Sequence, residues 1–102
     1  MAAICTLALV GSSRADAQEE EDWAVATADC IVTYESHWVA SAYNPRSGAA
    51  GLGQFLYSTW LSTPQGKAGL SRYDPYAAHA AVVWMVNNGR AREFDAYRWF
   101  CS

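Results

Sequence analysis

The sequence predicts a small, mainly α domain closed by one disulfide. Three observations lead there. The chain has 102 residues, 52% of them hydrophobic and 17% charged, which is the balance of one globular unit and not of a disordered chain. Apolar residues recur at helical spacing in its longer segments, and no segment reads as a convincing strand. Two cysteines, Cys30 and Cys101, remain once the N-terminal apolar run is set aside, and an even pair in a small exported domain reads as one disulfide formed in an oxidising compartment.

The elements follow in chain order. Ala2 to Val10 is apolar, Gly11-Ser12-Ser13 is small and polar, and Ala15-Asp16-Ala17 has the small-x-small form of a signal-peptidase site. Residues 1–17 are therefore expected to be a signal peptide, with Cys5 inside the discarded part, although no Lys or Arg precedes the apolar run. The competing reading is a short N-terminal helix of the folded protein. Residues 18–23 carry Glu19, Glu20, Glu21 and Asp22 and are expected to be an acidic, solvated tail. Asp22 is a fair N-cap for a helix from Trp23 to about Ser36. On that helix Trp23, Ala26, Cys30 and Tyr34 form one apolar stripe, and Ala24, Ala28, Ile31 and Val32 the adjoining one. Residues 41–53 read as an irregular loop. Ser58 is expected to cap a short helix through Trp60 to about Thr63, and residues 64–69 are expected to be loop again. Asp74-Pro75 is a strong helix start, a cap followed by Pro at the first helical position. That helix carries Ala77, Ala80, Ala81, Trp84 and Met85 and should end near Gly89. A last helical stretch, about residues 91–100, reaches Cys101.

Composition narrows the function classes. A net charge of −3 is not that of a nucleic-acid binder. No run of 18 apolar residues offers a stable membrane span. Two distant cysteines with His37 and His79 lack metal-ligand spacing, so no metal site is expected. From Trp23 onward the acids are Asp29, Glu35, Asp74, Glu93 and Asp95. Glu35 stands out: it follows Ile31 and Val32 on an apolar helix face, near a helix C-terminus where the macrodipole disfavours an acid. Asp74 is occupied by capping, Asp29 lies off the Glu35 face, and Glu93 and Asp95 fall in a polar segment expected to be solvated. No partner carboxylate for Glu35 is therefore expected.

The ordered set of motifs is more specific than any single residue. Glu35-Ser36 ends a helix, Ser47-Gly48-Ala49-Ala50-Gly51-Leu52-Gly53-Gln54 follows, then Ser58-Thr59-Trp60, then Tyr73-Asp74-Pro75 opening an Ala-rich helix that ends in Asn87-Asn88-Gly89. This set resembles the catalytic domain of the soluble lytic transglycosylases, relatives of goose-type lysozyme that cleave bacterial peptidoglycan. The resemblance covers about residues 24–101, so residues 24–102 are expected to form the catalytic domain, with a small lysozyme-like helical fold. It implies that Glu35 is the catalytic acid, that Ser36 matches the neighbouring serine, and that Gln54 lines the cleft near the scissile bond. Asn44, Tyr43 and Asn87 are the further expected substrate contacts. The sequence departs from the family pattern at Val86, where a tyrosine is usual, at Tyr57, where a proline precedes Ser-Thr-Trp, and at Gly53, where a methionine is commoner. The glycine is expected to leave more room beside the cleft.

The implied activity is cleavage of the β-1,4 bond between N-acetylmuramic acid and N-acetylglucosamine by one glutamate acting as acid and then as base. The 1,6-anhydro product needs no cofactor, and the shortage of partner carboxylates fits a one-glutamate mechanism. The partners implied are peptidoglycan glycan strands, met by a secreted monomer. Two rivals stand beside it. One is a lysozyme-type hydrolase that delivers water; the other is a non-catalytic envelope or virion module that binds glycan strands. Glu35 by itself would read as a solvated helix-end residue and Gln54 as a surface glutamine. Trp60, Trp84 and Met85 are expected in the core, His37 and His79 solvated or partly packed, and Tyr97, Trp99 and Phe100 packed around the disulfide. Trp38 and Tyr43 are expected to flank the cleft.

Overall fold

The computed structural model describes the backbone of residues 2–102 and the side chains of residues 17–102. The expected signal peptide and Cys5 fall on side chains outside that description. The chain is mainly helical: α1 (Ala2–Ser36), α2 (Tyr57–Trp60), α3 (Pro64–Lys67) and α4 (Pro75–Asn87), followed by a 3-10 turn (Ala91–Glu93) and a π-helical turn (Tyr97–Cys101). No strand forms among the described residues; two isolated antiparallel bridges, Tyr43 with Ala50 and Ala50 with Phe55, pin the long loop.

The core is built where small residues let two helices approach. Ala24, Ala28, Ile31 and Val32 on α1 and Ala78, Ala81, Val82 and Met85 on α4 are all fully buried. The other expected stripe is not a core stripe: Trp23, Ala26 and Tyr34 are exposed. Trp60 fills the far end of the core. Phe55 meets it edge-on at 5.1 Å and meets Phe94 at 5.6 Å, the edge-to-face geometry that aromatic quadrupoles favour. The Trp60 indole N–H donates to Leu70 O at 2.8 Å, so its one polar atom is satisfied inside the core.

Several boundaries differ from the sequence expectation. Asp22 is not an N-cap, because α1 continues through the acidic segment, where Gln18 Nε2 donates to Asp22 Oδ1 at 2.9 Å. Residues 17–22 contain no Gly or Pro to stop a helix, and their acids are acceptable helix formers. Ser58 lies inside α2, whose N-cap is Leu56 with no side-chain hydrogen bond. Residues 64–67 are helical, not loop: Thr63 caps them by accepting from Gly66 N, with Pro64 in the first turn. The last stretch is interrupted, since Phe94 is extended between the 3-10 and π-helical turns.

The α4 boundaries agree with expectation. Asp74 accepts from Tyr76 N and Ala77 N, Pro75 follows, and Gly89 at φ 73° turns the chain out of the helix. Cys30 and Cys101 form the disulfide, with Cα atoms 5.9 Å apart, and it ties the π-helical turn to the C-terminal part of α1. Phe100 stacks on Tyr34 at 4.3 Å beside it, whereas Trp99 points out and is exposed. No described helix is long and apolar enough to cross a membrane.

Candidate active site

A cavity of about 580 Å³ lies where the end of α1, the long loop and the C-terminal segment meet. Its lining brings together Glu35, Asn44 and Gln54, and adds Glu93 and Asp95. Three of the expected site residues lie elsewhere. Ser36 is buried with its hydroxyl donating back to Val32 O at 3.3 Å, so it serves the last turn of α1. Tyr43 is exposed and contributes a backbone bridge to Ala50. Asn87 is an exposed residue at the end of α4. Trp38 does not flank this cavity either; it lines another one.

Glu35 stands on the apolar side of α1, one turn after Ile31, and no basic residue occupies that last turn to favour its ionised form. Its pKa is raised to about 7. Burial is the largest cause, since a charged carboxylate loses hydration there, and the Asp95 carboxylate adds like-charge repulsion. The Ala96 backbone N–H and the Arg98 guanidinium pull the other way. All three opposing or assisting groups come from the short segment before Cys101.

Glu93 and Asp95 were expected in a solvated segment and both are exposed, but both also line the cavity, where no partner carboxylate for Glu35 was expected. Arg90 grips Glu93 with two hydrogen bonds, Nε to Oε2 at 2.5 Å and Nη2 to Oε1 at 2.9 Å, and that grip lowers the Glu93 pKa. Arg90 is itself held by Ser62 Oγ at 2.9 Å and by the Trp84 ring at 5.7 Å. Asp95 pairs with Arg98. The cavity is thus lined by one carboxyl whose pKa burial raises and another whose pKa its arginine partner lowers. The signal for their approach was in the sequence: a disulfide from Cys101 to Cys30 brings residues 93–98 beside the turn of α1 that carries Glu35.

The loop wall is made by backbone closure. Gln54 adopts a left-handed conformation, φ 49°, and its Nε2 donates to Gly51 O at 2.9 Å and Ala42 O at 3.2 Å. The amide nitrogen is thereby spent on the loop. Arg72 clamps the same loop, Nη1 donating to Gly48 O and Phe55 O, both at 2.9 Å, with its guanidinium over the Tyr57 ring. Gly51 is required: at φ 79° its backbone packs on Arg72 O, where a Cβ would collide. Gly53 does not open the cleft as expected, because Phe55 and Val82 already occupy the space a side chain would take. Val86 is buried and offers no hydroxyl. Among the described residues no group of three or more His, Cys, Asp or Glu could hold a metal ion.

No protein family, no curated protein and no solved structure matches the chain.

Proposed function

We propose that the chain is an exported peptidoglycan-cleaving enzyme of the lytic transglycosylase type, with Glu35 as its single acid/base. The observation that carries this reading is a half-buried glutamate with a pKa raised to about 7, facing a cavity that also presents Asn44 and Gln54. A general acid working near neutral pH needs a pKa near the working pH. Protonated Glu35 donates to the glycosidic oxygen, and the N-acetyl group of muramic acid stabilises the developing cation. Glu35, now a base, takes the proton of the same sugar's C6 hydroxyl, whose oxygen closes the 1,6-anhydro ring; intramolecular attack gains from proximity. The ordered motifs from Glu35-Ser36 to Asn87-Asn88-Gly89 support the substrate class, and the disulfide suits an oxidising, extracytoplasmic compartment.

A second reading has one observation in its favour. Asp95 and Glu93 share the Glu35 cavity, and a second carboxylate is what a hydrolase uses to position water or stabilise the cation. Mass spectrometry of muropeptides released from purified peptidoglycan separates the two. Anhydro ends, lighter by one water, are expected, and reducing ends would move the assignment to a lysozyme-type muramidase. Glu35→Gln should abolish release while the circular dichroism spectrum and Tm show a folded protein. Release by that variant would sink the assignment of Glu35 as the acid, and no release by folded wild type on several wall types would sink the enzymatic reading and leave a glycan-binding module.

A further inference from the structure

A second cavity, of about 480 Å³, lies between α1 and the start of α4, within the size range of small-molecule sites. It shares no lining residue with the Glu35 cavity. Its polar centre is Asp29, six residues before Glu35 and therefore turned roughly 120° around an ideal helix. Asp29 Oδ1 lies 2.7 Å from His79 Nε2, a hydrogen bond in which the imidazole N–H donates to the carboxylate.

Two aromatic rings frame that pair, and both are left in water. Tyr76, in the first turn of α4, is 87% exposed, and Trp38 is 48% exposed. Trp38 is nonetheless held firmly. Its backbone is left-handed, φ 63°, its indole N–H donates to Thr33 Oγ1 at 3.0 Å, and its ring stacks on His79 at 5.7 Å with 29° between planes. A bulky residue in that backbone region costs stability and persists only where its surroundings over-determine it. Leu52 closes the floor.

The occupant follows from this chemistry. A wholly apolar ligand would strip water from the Asp29–His79 pair without replacing its hydrogen bonds. An anionic ligand would face Asp29. A pyranose ring has one face of C–H groups, which suits the electron-rich faces of Trp38 and Tyr76, and an equatorial rim of hydroxyl and amide donors, which suits the Asp29 carboxylate. We infer that the cavity framed by Trp38, Tyr76 and the Asp29–His79 pair is a second carbohydrate site, binding a pyranose ring of a neutral glycan strand away from Glu35. That the strand is peptidoglycan rests on the proposed function; the ring chemistry does not. The site gives this domain a hold on a glycan strand that does not depend on the Glu35 cavity.

Chitotetraose titrated into the ¹⁵N-labelled Glu35→Gln protein tests this by NMR. The Trp38 indole N–H and the amides of Tyr76 and His79 should shift saturably. Tyr76→Ala, at a position too exposed to govern folding, should weaken that binding roughly fivefold, about what one aromatic contact contributes. Trp38→Phe should retain it and Trp38→Ala should lose it. Shifts confined to Asn44, Gln54 and Asp95 would overturn the second site and leave the proposed function standing. No shift anywhere, or unchanged affinity in Tyr76→Ala, would also overturn it. Saturable shifts at Trp38 in a protein whose wild type releases no muropeptide would support the site and remove the transglycosylase reading.

Discussion

Two separable causes push the Glu35 pKa up to about 7. Burial is the larger, and Asp95 supplies the second. A general acid is active in its protonated form, so activity should fall as pH rises through about 7. Asp95→Asn removes the like charge and also frees Arg98, whose positive charge already favours ionised Glu35. Both effects lower the Glu35 pKa, and the alkaline limb of the kcat/KM profile should move to lower pH with the acid-side rate retained. If Asp95→Asn instead loses activity at every pH, Asp95 acts on water or on the cation, and the hydrolase mechanism takes over. Glu35 was legible as a candidate through the ordered motifs around it, since an acid at a helix end reads by itself as solvated. Asp95 was not singled out, because only the Cys30–Cys101 pairing, and no local pattern, signals the fold-back that brings it near Glu35.

At the level of elements, the loop between α1 and α2 is shaped by what its glycines exclude. A Cβ at Gly53 would lie 2.6 Å from Phe55 Cε2 and 2.9 Å from Val82 Cγ2. Gly53→Met, the residue commoner in the resembled family, should therefore overpack the core and destabilise by about 1–3 kcal/mol, read as a lower urea midpoint at unchanged m-value. A neutral or stabilising result would mean that Phe55 can swing away and that the loop wall is softer than its clamp by Arg72 implies. The elements that the sequence made plain are those with local chemistry strong enough to act alone. Asp74-Pro75 and Gly89 bound α4 because capping and the left-handed exit are decided within a few residues. Thr63-Pro64 carries the same kind of start signal, but a four-residue helix shows no periodicity, so only the cap could have revealed it. The opposite failure occurred at Asp22: a good capping residue lost to a continuous run of helix formers around it.

The disulfide connects stability to chemistry across the whole molecule. Residues 30 and 101 are 71 apart in sequence, and the covalent link removes the loop-closure entropy of nearly the entire domain from the unfolded chain. The chain-entropy model assigns about 4 kcal/mol to a loop of that length, against a total of roughly 5–15 kcal/mol for a folded domain. The same link holds Asp95, Ala96 and Arg98 against Glu35, assisted by Phe94 and Ala96, which are buried in the core. The double variant Cys30→Ser/Cys101→Ser should thus show two effects. Its stability should drop by about 4 kcal/mol in urea unfolding at low temperature, where enough native protein remains to measure. Where it is folded, a loosened C-terminal segment should let water reach Glu35, lower its pKa toward the ordinary carboxylate range, and move the alkaline limb of the rate profile to lower pH. A stability loss with an unmoved profile would show that Phe94 and Ala96 hold the segment in place unaided, and that the disulfide serves the unfolded state alone.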